Sequence, residues 1–463
     1  MRPDMGKAPV LLLNPPGDKL YIRDYYCSFS SKADYYWPPQ DLIALSGILD
    51  AGFDVHVLDA IVPRRTAEEV LARIEAIEPR AVVFTTGTAT LKSDLALMER
   101  IRTAHPNIRI VASAGIMRFV GRELLEKNPV LDAVLLDFSD HGIAEYLAGS
   151  AAPLPGLLAR TGTGAIEGPP NKAREFAYPV PRHDLFDFRK YRLPIARRFP
   201  FTVVVTSLGC PYHCGFCTAG AFGYKVRTID NVLDELRALA AMGVREILFQ
   251  DPTFTINTRR VVEICRKMIE AGLDLTWSCN ADLHALDEEK MIWMKKAGCH
   301  TVSVGIESGD DAMLKKYSKP ITVEEIKAKV ARLNAHKIKV LGYFILGLPG
   351  ETRESAERTI ALAKSLRLDI ASFAIATPDV GTPLRAEAVA QGWIPAGLDA
   401  WDSTEYPILE TGTLRKEEIW ALRRKAVRAF YLRPSYLLRK LAGVRSPRDL
   451  STLVSNAVSL LRK

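Results

Sequence analysis

Three segments of one design recur between residues 241 and 305: AMGVREILFQ (241–250), EAGLDLTWSC (270–279) and KAGCHTVSVG (296–305). In each, a helical pattern stops at a glycine (Gly243, Gly272 or Gly298) and a short apolar strand follows. Glycine suits the left-handed residue that closes a helix. A spacing of roughly 26–40 residues is one strand–helix unit. TVVVTSLG (202–209), KVLGYFILGLPG (339–350) and DIASFAIATPD (369–379) bring the strands to six. One helix face is marked by Ile229, Val232, Leu233, Leu236, Leu239 and Ala240. Six consecutive units predict an open, partial barrel over 201–390 rather than a closed eightfold one.

The first 150 residues alternate in the same way. Strand-like runs at 10–15 (VLLLNP), 54–59 (DVHVLD), 81–86 (AVVFTT), 108–113 (IRIVAS) and 132–137 (DAVLLD) are separated by helical patterns such as TAEEVLARIEAI. This predicts a doubly wound, Rossmann-like parallel sheet over 1–150, a fold that binds ligands at the carboxyl ends of its strands. Residues 151–200 change texture, becoming rich in Gly, Pro and Ala, and read as a linker and interdomain arm. The expected fold class is α/β, ending in an extension over 391–463.

That extension carries the charge. Of the net +8, residues 415–463 hold thirteen Lys and Arg against three Asp and Glu, a local +10 that leaves the rest near −2. Leucines and aromatics interleave with the basic residues. A mostly helical basic tail suits an anionic membrane surface or an acidic partner, or forms a solvated cap. No RNA or DNA module accompanies it. The longest apolar runs are too short to span a bilayer, and MRPDMGKAPV has no signal-peptide core. A cytoplasmic protein is expected, peripheral at most at the inner face of the membrane. In a reducing compartment, clustered cysteines favour metal ligation over disulfides. Cys27, Cys265, Cys279 and Cys299 are scattered and read as small buried hydrophobes.

The other three cysteines, Cys210, Cys214 and Cys217, form C-x3-C-x2-C in SLGCPYHCGFCT (207–218) at the end of the first barrel strand. Three thiolates are one short of a closed zinc site. His213 is the available fourth ligand, but it lies between two of the cysteines and would strain the loop. A [4Fe–4S] cluster held by three cysteines keeps one iron open, which suits catalysis and is the favoured reading.

With Phe216 before the last cysteine, this motif resembles the radical S-adenosylmethionine (SAM) superfamily. FQDPTFTIN (249–257), VGIESGDDAMLKKYSKPIT (304–322), GYFILGLPGET (342–352) and ATPDVGTPL (376–384) resemble its later strand ends, in the branch with an N-terminal cobalamin-binding domain. The resemblance implies SAM contacts at Phe216, Gln250, Asp251, Asn280, Glu307, Ser308, Lys319 and Gly347. Gln250-Asp251 stands where many members carry Gly-Gly-Glu, leaving an acidic side chain for an ammonium.

The first domain resembles the B12-binding fold of that branch. Asp54-x-His56-x-x-Asp59 lacks the glycine of the cobalt-ligating motif and lies in the second strand rather than after the first, so His56 reads as a sheet residue. The resemblance implies cobalamin contacts at Asn14, Thr85, Thr86, Gly87, Thr88, Ala114, Gly115 and Ile116, small residues letting a corrin approach; the alternative is a retained fold without corrin. Tyr25, Tyr26, Tyr35, Tyr36 and Trp37 lie in an insertion after the first strand, as an aromatic wall over an apolar substrate or as interdomain packing.

The resemblance further implies reductive cleavage of SAM at the cluster, fed by a one-electron donor such as flavodoxin or ferredoxin. The leading expectation is methylation of an unactivated carbon of a hydrophobic metabolite (lipid, isoprenoid or tetrapyrrole) with cobalamin. A non-methylating radical oxidation or cyclisation is the second. RNA methylthiolation would need a further cysteine triad in the first domain, where only Cys27 stands. A non-enzymatic corrin sensor would have no use for an open iron.

Overall fold

The computed structural model describes residues 6–31, 35–62, 64–162, 164–395 and 406–442. Its first sheet contains β1 (Pro9–Asn14), β2 (Asp54–Asp59), β3 (Ala81–Thr85), β4 (Arg109–Ser113), β5 (Ala133–Leu135), β6 (Leu157–Thr161) and β7 (Gly164–Glu167). Their order is β2-β1-β3-β4-β5-β6-β7. The first five are parallel and fall where the apolar alternation places them. β6 and β7 add antiparallel to the edge, so the expected linker is in part sheet. Leu157 and Leu158 are buried there; two leucines among glycines and prolines carry too little periodicity to announce a strand.

The second sheet runs in chain order: β8 (Phe201–Val204), β9 (Glu246–Phe249), β10 (Thr276–Ala281), β11 (Cys299–Glu307), β12 (Lys339–Leu346) and β13 (Ile370–Ile375). All neighbours are parallel, the open six-stranded arrangement that the repeat predicts. Gly243, Gly272 and Gly298 have φ of +84°, +61° and +98°. At Gly298 a Cβ would also meet Leu275 O at 2.5 Å, so the third repeat tolerates no other residue.

One apolar core runs from Val10 and Leu12 in β1, through Tyr178, Phe186 and Tyr191 of the arm, to Phe201 and Trp277 of the barrel. A hairpin follows β1, with Tyr21–Asp24 pairing antiparallel to Cys27–Ser30. It is fastened by Arg23, opposite Ser28 and one pair from the turn, which donates to Asp94 Oδ1 (2.8 Å), Asn14 Oδ1 (2.9 Å), Pro15 O (2.8 Å) and Thr90 Oγ1 (3.1 Å). The Arg23–Asp94 pair is buried on both sides, so losing either partner would leave an uncompensated charge.

The basic extension begins as a packed helix. Lys416–Tyr431 buries Ile419, Leu422, Ala426 and Phe430, and also Arg423, against β13 and helix Arg353–Ser365. In the next helix, Pro434–Leu441, Tyr436 is the buried residue. The rest of the basic tail, 443–463, lies outside the described residues. Among the described residues no helix is long and apolar enough to cross a membrane.

Candidate active site

After β8 the chain turns through Thr206 and Ser207 into the cysteine loop. Gly209 has φ +70°, and a Cβ there would lie 1.4 Å from Gly223 O, so only glycine lets the loop close. Backbone bonds set its course: Cys217 N–H to Cys214 O (3.0 Å), Cys210 N–H to Ala219 O (3.1 Å) and Gly215 N–H to Tyr317 O (3.0 Å). All three cysteines line one cavity of about 810 Å³ between the barrel mouth, the hairpin and the C-terminal helices.

The Cys217 side chain is reached from that cavity, yet protein surrounds it. Burial pushes its thiol up to about 12, and that of Cys214 to about 11. Such thiols keep their protons until a metal displaces them. Among the described residues, no three His, Cys, Asp or Glu side chains converge as a single ion would require. His213 does not line that cavity but an adjoining one, which it shares with Cys210. Three thiols lining one cavity suit a [4Fe–4S] cluster that keeps one iron open.

Gln250, Asp251, Asn280, Asp282, Glu307 and Lys319 line the same cavity. β11 ends in an irregularity between Gly305 and Glu307, and Glu307 has φ +63°, a strained conformation for a side-chain-bearing residue. Gly305 leaves the room: a Cβ there would lie 2.0 Å from Glu307 Oε1. Lys319 Nζ stands 3.1 Å from Asp282 Oδ2 and 3.6 Å from Glu307 Oε1. Burial opposes its charge, but the two carboxylates outweigh it and hold the ammonium above its ordinary value. Burial raises the Glu307 carboxyl and Lys319 partly restores it. Two carboxylates against one ammonium leave one negative charge for a cationic ligand.

Other expected SAM contacts lie differently. Asp251 places both carboxylate oxygens on its own chain, accepting from Thr206 N–H (2.6 Å), Thr206 Oγ1 (2.5 Å) and Ser207 Oγ (2.8 Å). It ties the end of β8 to β9 instead of offering a free acid. Asn280 Nδ2 donates to Asp251 O at 2.9 Å. Ser308 turns away from the cavity and accepts from Asp310 N–H at 3.2 Å, beside Thr359 Oγ1. Gly347 donates its N–H to Glu351 Oε2 at 2.6 Å and packs on Ile419, which a Cβ would meet at 2.9 Å. Phe216 lines the cavity, its ring 6.1 Å from Tyr317.

The small residues expected to admit a corrin admit the hairpin instead. Gly115 N–H donates to Tyr25 O at 2.8 Å, and a Cβ on Gly115 would lie 2.2 Å from that oxygen. A Cβ on Gly87 would lie 2.4 Å from Ser28 Cβ, and Thr88 Oγ1 is 3.4 Å from Ser28 Oγ. Asn14 is held between Arg23 and Asp59, and Thr86 Oγ1 donates to Asp94 at 2.7 Å. Thr85 bonds Asp41, and Ala114 and Ile116 are buried. In this structure the hairpin occupies the platform that these residues form.

The aromatic insertion divides between interdomain packing and the cavity lining. Tyr25 packs between domains, 4.6 Å from Phe138 and 5.6 Å from Phe222. Tyr26, Tyr35 and Trp37 line the cavity. Cys27, read as a buried hydrophobe, is exposed and lines the cavity too, because a hairpin turn lifts it from the core. Sequence reasoning missed Asp282 and Asp24; Asp282 sits just after β10, a position that the strand-end rule points to.

A family model described as the radical SAM superfamily matches residues 204–363, and one for the B12 binding domain matches 29–146. An uncharacterised methyltransferase of Pyrococcus horikoshii is 30% identical over 413 residues, 87% of this chain and 89% of the relative. An anaerobic magnesium-protoporphyrin IX monomethyl ester cyclase of Cereibacter sphaeroides is 25% identical over 89% of this chain and 70% of its own. Among solved structures, the radical SAM methyltransferase TsrM of Kitasatospora setae, with cobalamin and a [4Fe-4S] cluster bound, matches with a TM-score of 0.65 at 21% identity. That match covers 83% of this chain and 78% of the other, and it shows a shared fold.

Proposed function

The chain belongs to the radical SAM superfamily, with a B12-binding domain ahead of its barrel, and from that premise we propose that it is a cobalamin-dependent C-methyltransferase acting on a hydrophobic small molecule. The observation that carries this reading is the single cavity. One end holds three thiols and the Asp282–Lys319–Glu307 cluster. The other is walled by apolar and aromatic side chains, among them Trp37, Leu341, Phe373, Val427 and Tyr431.

Cys210, Cys214 and Cys217 would hold the [4Fe–4S] cluster. When bound, the cluster and SAM together supply one-electron chemistry able to take hydrogen from an unactivated carbon. The chain's own residues bind, orient and exclude water. The net negative charge of the Asp282–Lys319–Glu307 cluster suits cationic SAM, with Lys319 facing its carboxylate. The apolar wall holds the substrate and keeps bulk water from the reacting carbon. Cobalamin belongs with the matched B12 domain, and no residue of this chain is given a step through it.

The test is anaerobic incubation of the reconstituted protein with reductant, methyl-labelled SAM and a bacterial lipid extract. We expect 5′-deoxyadenosine and label in an organic-phase product heavier by one CH2. An unlabelled product lighter by two hydrogens would favour the second reading, a radical oxidation or cyclisation, which the similarity to the cyclase supports.

The cavity mouth suggests where such a substrate is met. Leu437 and Leu441 line the cavity and are exposed, as is Leu432 just before their helix, and Leu438 is exposed beside them. Arg439 and Lys440 share their helix. This is the pattern of an interfacial helix on an anionic membrane. Leu438→Glu with Leu441→Glu should weaken binding to phosphatidylglycerol vesicles at low salt by about tenfold or more, since each buried leucine contributes roughly 1.5 kcal/mol or more. Equal sedimentation of the variant and the parent with vesicles would remove the membrane from the proposal.

A further inference from the structure

The hairpin of the first domain hydrogen-bonds to the second at the active site. Tyr26 Oη accepts from Gly209 N–H at 2.8 Å, just before Cys210. Tyr26 O accepts from Thr218 Oγ1 at 3.3 Å, just after Cys217. The third contact is Asp24, whose Oδ2 accepts from Gln250 Nε2.

Gln250 is buried, and its Oε1 has no hydrogen-bond partner among the described residues. Buried amide oxygens are ordinarily paired. Both Gln250 and Asp24 line the cavity that the three cysteines share. The neighbouring Asp251 already accepts three hydrogen bonds, whereas the Gln250 carbonyl accepts none among the described residues. Which way the amide points is decided by Asp24. An ionised carboxylate only accepts, so it must face Nε2, and Oε1 is turned to the other side. Burial pushes the Asp24 carboxyl up to about 6, so the group is ionised in mildly alkaline buffer. Asp24 is itself held: its Oδ1 accepts from Tyr26 N–H at 3.2 Å, and the adjacent Arg23 is locked into the first domain.

We propose that Asp24 is a positioning residue for SAM: from the cobalamin-binding domain, it locks the Gln250 amide so that Gln250 Oε1 accepts from the SAM ammonium. The proposal rests on the SAM-enzyme reading above. It makes the SAM site a product of both domains, although every residue that the family resemblance offers for SAM lies in the barrel.

The experiment is SAM binding by equilibrium dialysis to full-length protein with its cluster reconstituted anaerobically, with iron per chain and melting temperature measured alongside. In Asp24→Asn the new amide can donate to Gln250 Oε1 and occupy or flip it. SAM affinity should fall about tenfold, the range of one hydrogen bond to a charged group, with iron content unchanged. The exchanged pair Asp24→Asn with Gln250→Glu restores a donor facing an acceptor and leaves one carboxylate oxygen free. It should recover SAM affinity to within about threefold of the parent. A merely structural role would not predict recovery by exchange. Parent-like SAM affinity in Asp24→Asn, or an exchanged pair that keeps its iron but binds no better than Asp24→Asn, overturns the proposal. Parent protein that takes up iron but binds no SAM would instead overturn the functional reading beneath it.

Discussion

Cys214→Ala is expected to abolish reductive cleavage of SAM and to strip the protein of most of its iron. The backbone of the loop does not depend on this side chain. Cys214 contributes its carbonyl to the Cys217 N–H at 3.0 Å, and the neighbouring Gly215 N–H is held by Tyr317 O. Alanine therefore leaves the turn in place and removes one thiolate of three. Metal affinity is built from deprotonated ligands, and here each thiol starts from a raised value, Cys214 at about 11. Two such ligands are a poor trap for iron. The measurements are iron per chain, the broad visible absorbance of the cluster, and 5′-deoxyadenosine formed with dithionite. Cys265→Ala is the control: Cys265 is buried on helix Thr258–Glu270 and should keep its iron. Undiminished cleavage in Cys214→Ala would refute the assignment of the cluster.

The second large effect is at Lys319. Lys319→Met keeps most of the stem and removes the charge between Asp282 and Glu307. Both carboxylates are nearly inaccessible to solvent. Breaking a buried pair by removing one partner costs about 3–5 kcal/mol, and a substantial share of that is expected here. The loss should depend on pH with a definite sign. Burial already raises the Glu307 carboxyl, with Lys319 opposing. Without Lys319 it rises further, so the folded variant holds that proton more tightly than the unfolded chain does. Stability is then retained at low pH and lost as pH rises through the folded value. Chemical denaturation at about pH 5 and about pH 8 should show a wider gap from the parent at the higher pH. Adding Glu307→Gln should recover stability but not SAM binding. A gap that does not change with pH would show that these carboxylates are not coupled through Lys319.

What the sequence made legible was local or periodic. The three glycine-closed units predict β9, β10 and β11 because each strand follows its own helix stop. The cysteine motif is legible because all of its ligands lie within eight residues. The engagement of Asp251 was not legible because its partners, Thr206 and Ser207, stand 45 and 44 residues away. An acid at a strand end looks the same whether it is free or engaged. Gly87 and Gly115 were read as room for a corrin, but a missing Cβ only says that something approaches closely, and here it is Ser28 and Tyr25. Gly347 was likewise read as a SAM contact, and it packs on Ile419. Arg423 belonged to a run that reads as a solvated charge, yet it is buried, because the apolar face of its helix packs on the barrel. Asp24 carried no signal at all. Its importance depends on a contact 226 residues away.

The seat of Tyr25 and Ser28 on Gly115 and Gly87 makes the hairpin tip an intramolecular competitor for any corrin using the same platform. The observed affinity for cobalamin then equals the intrinsic affinity scaled by the fraction of molecules with the tip lifted. Arg23 stands opposite Ser28 in the hairpin, so lifting the tip strains the buried bonds of Arg23 and pulls Tyr26 from Gly209 and Thr218. Loading one cofactor would thus loosen the clasp on the loop that carries the other, and by reciprocity each would lower the affinity for the other by the same factor.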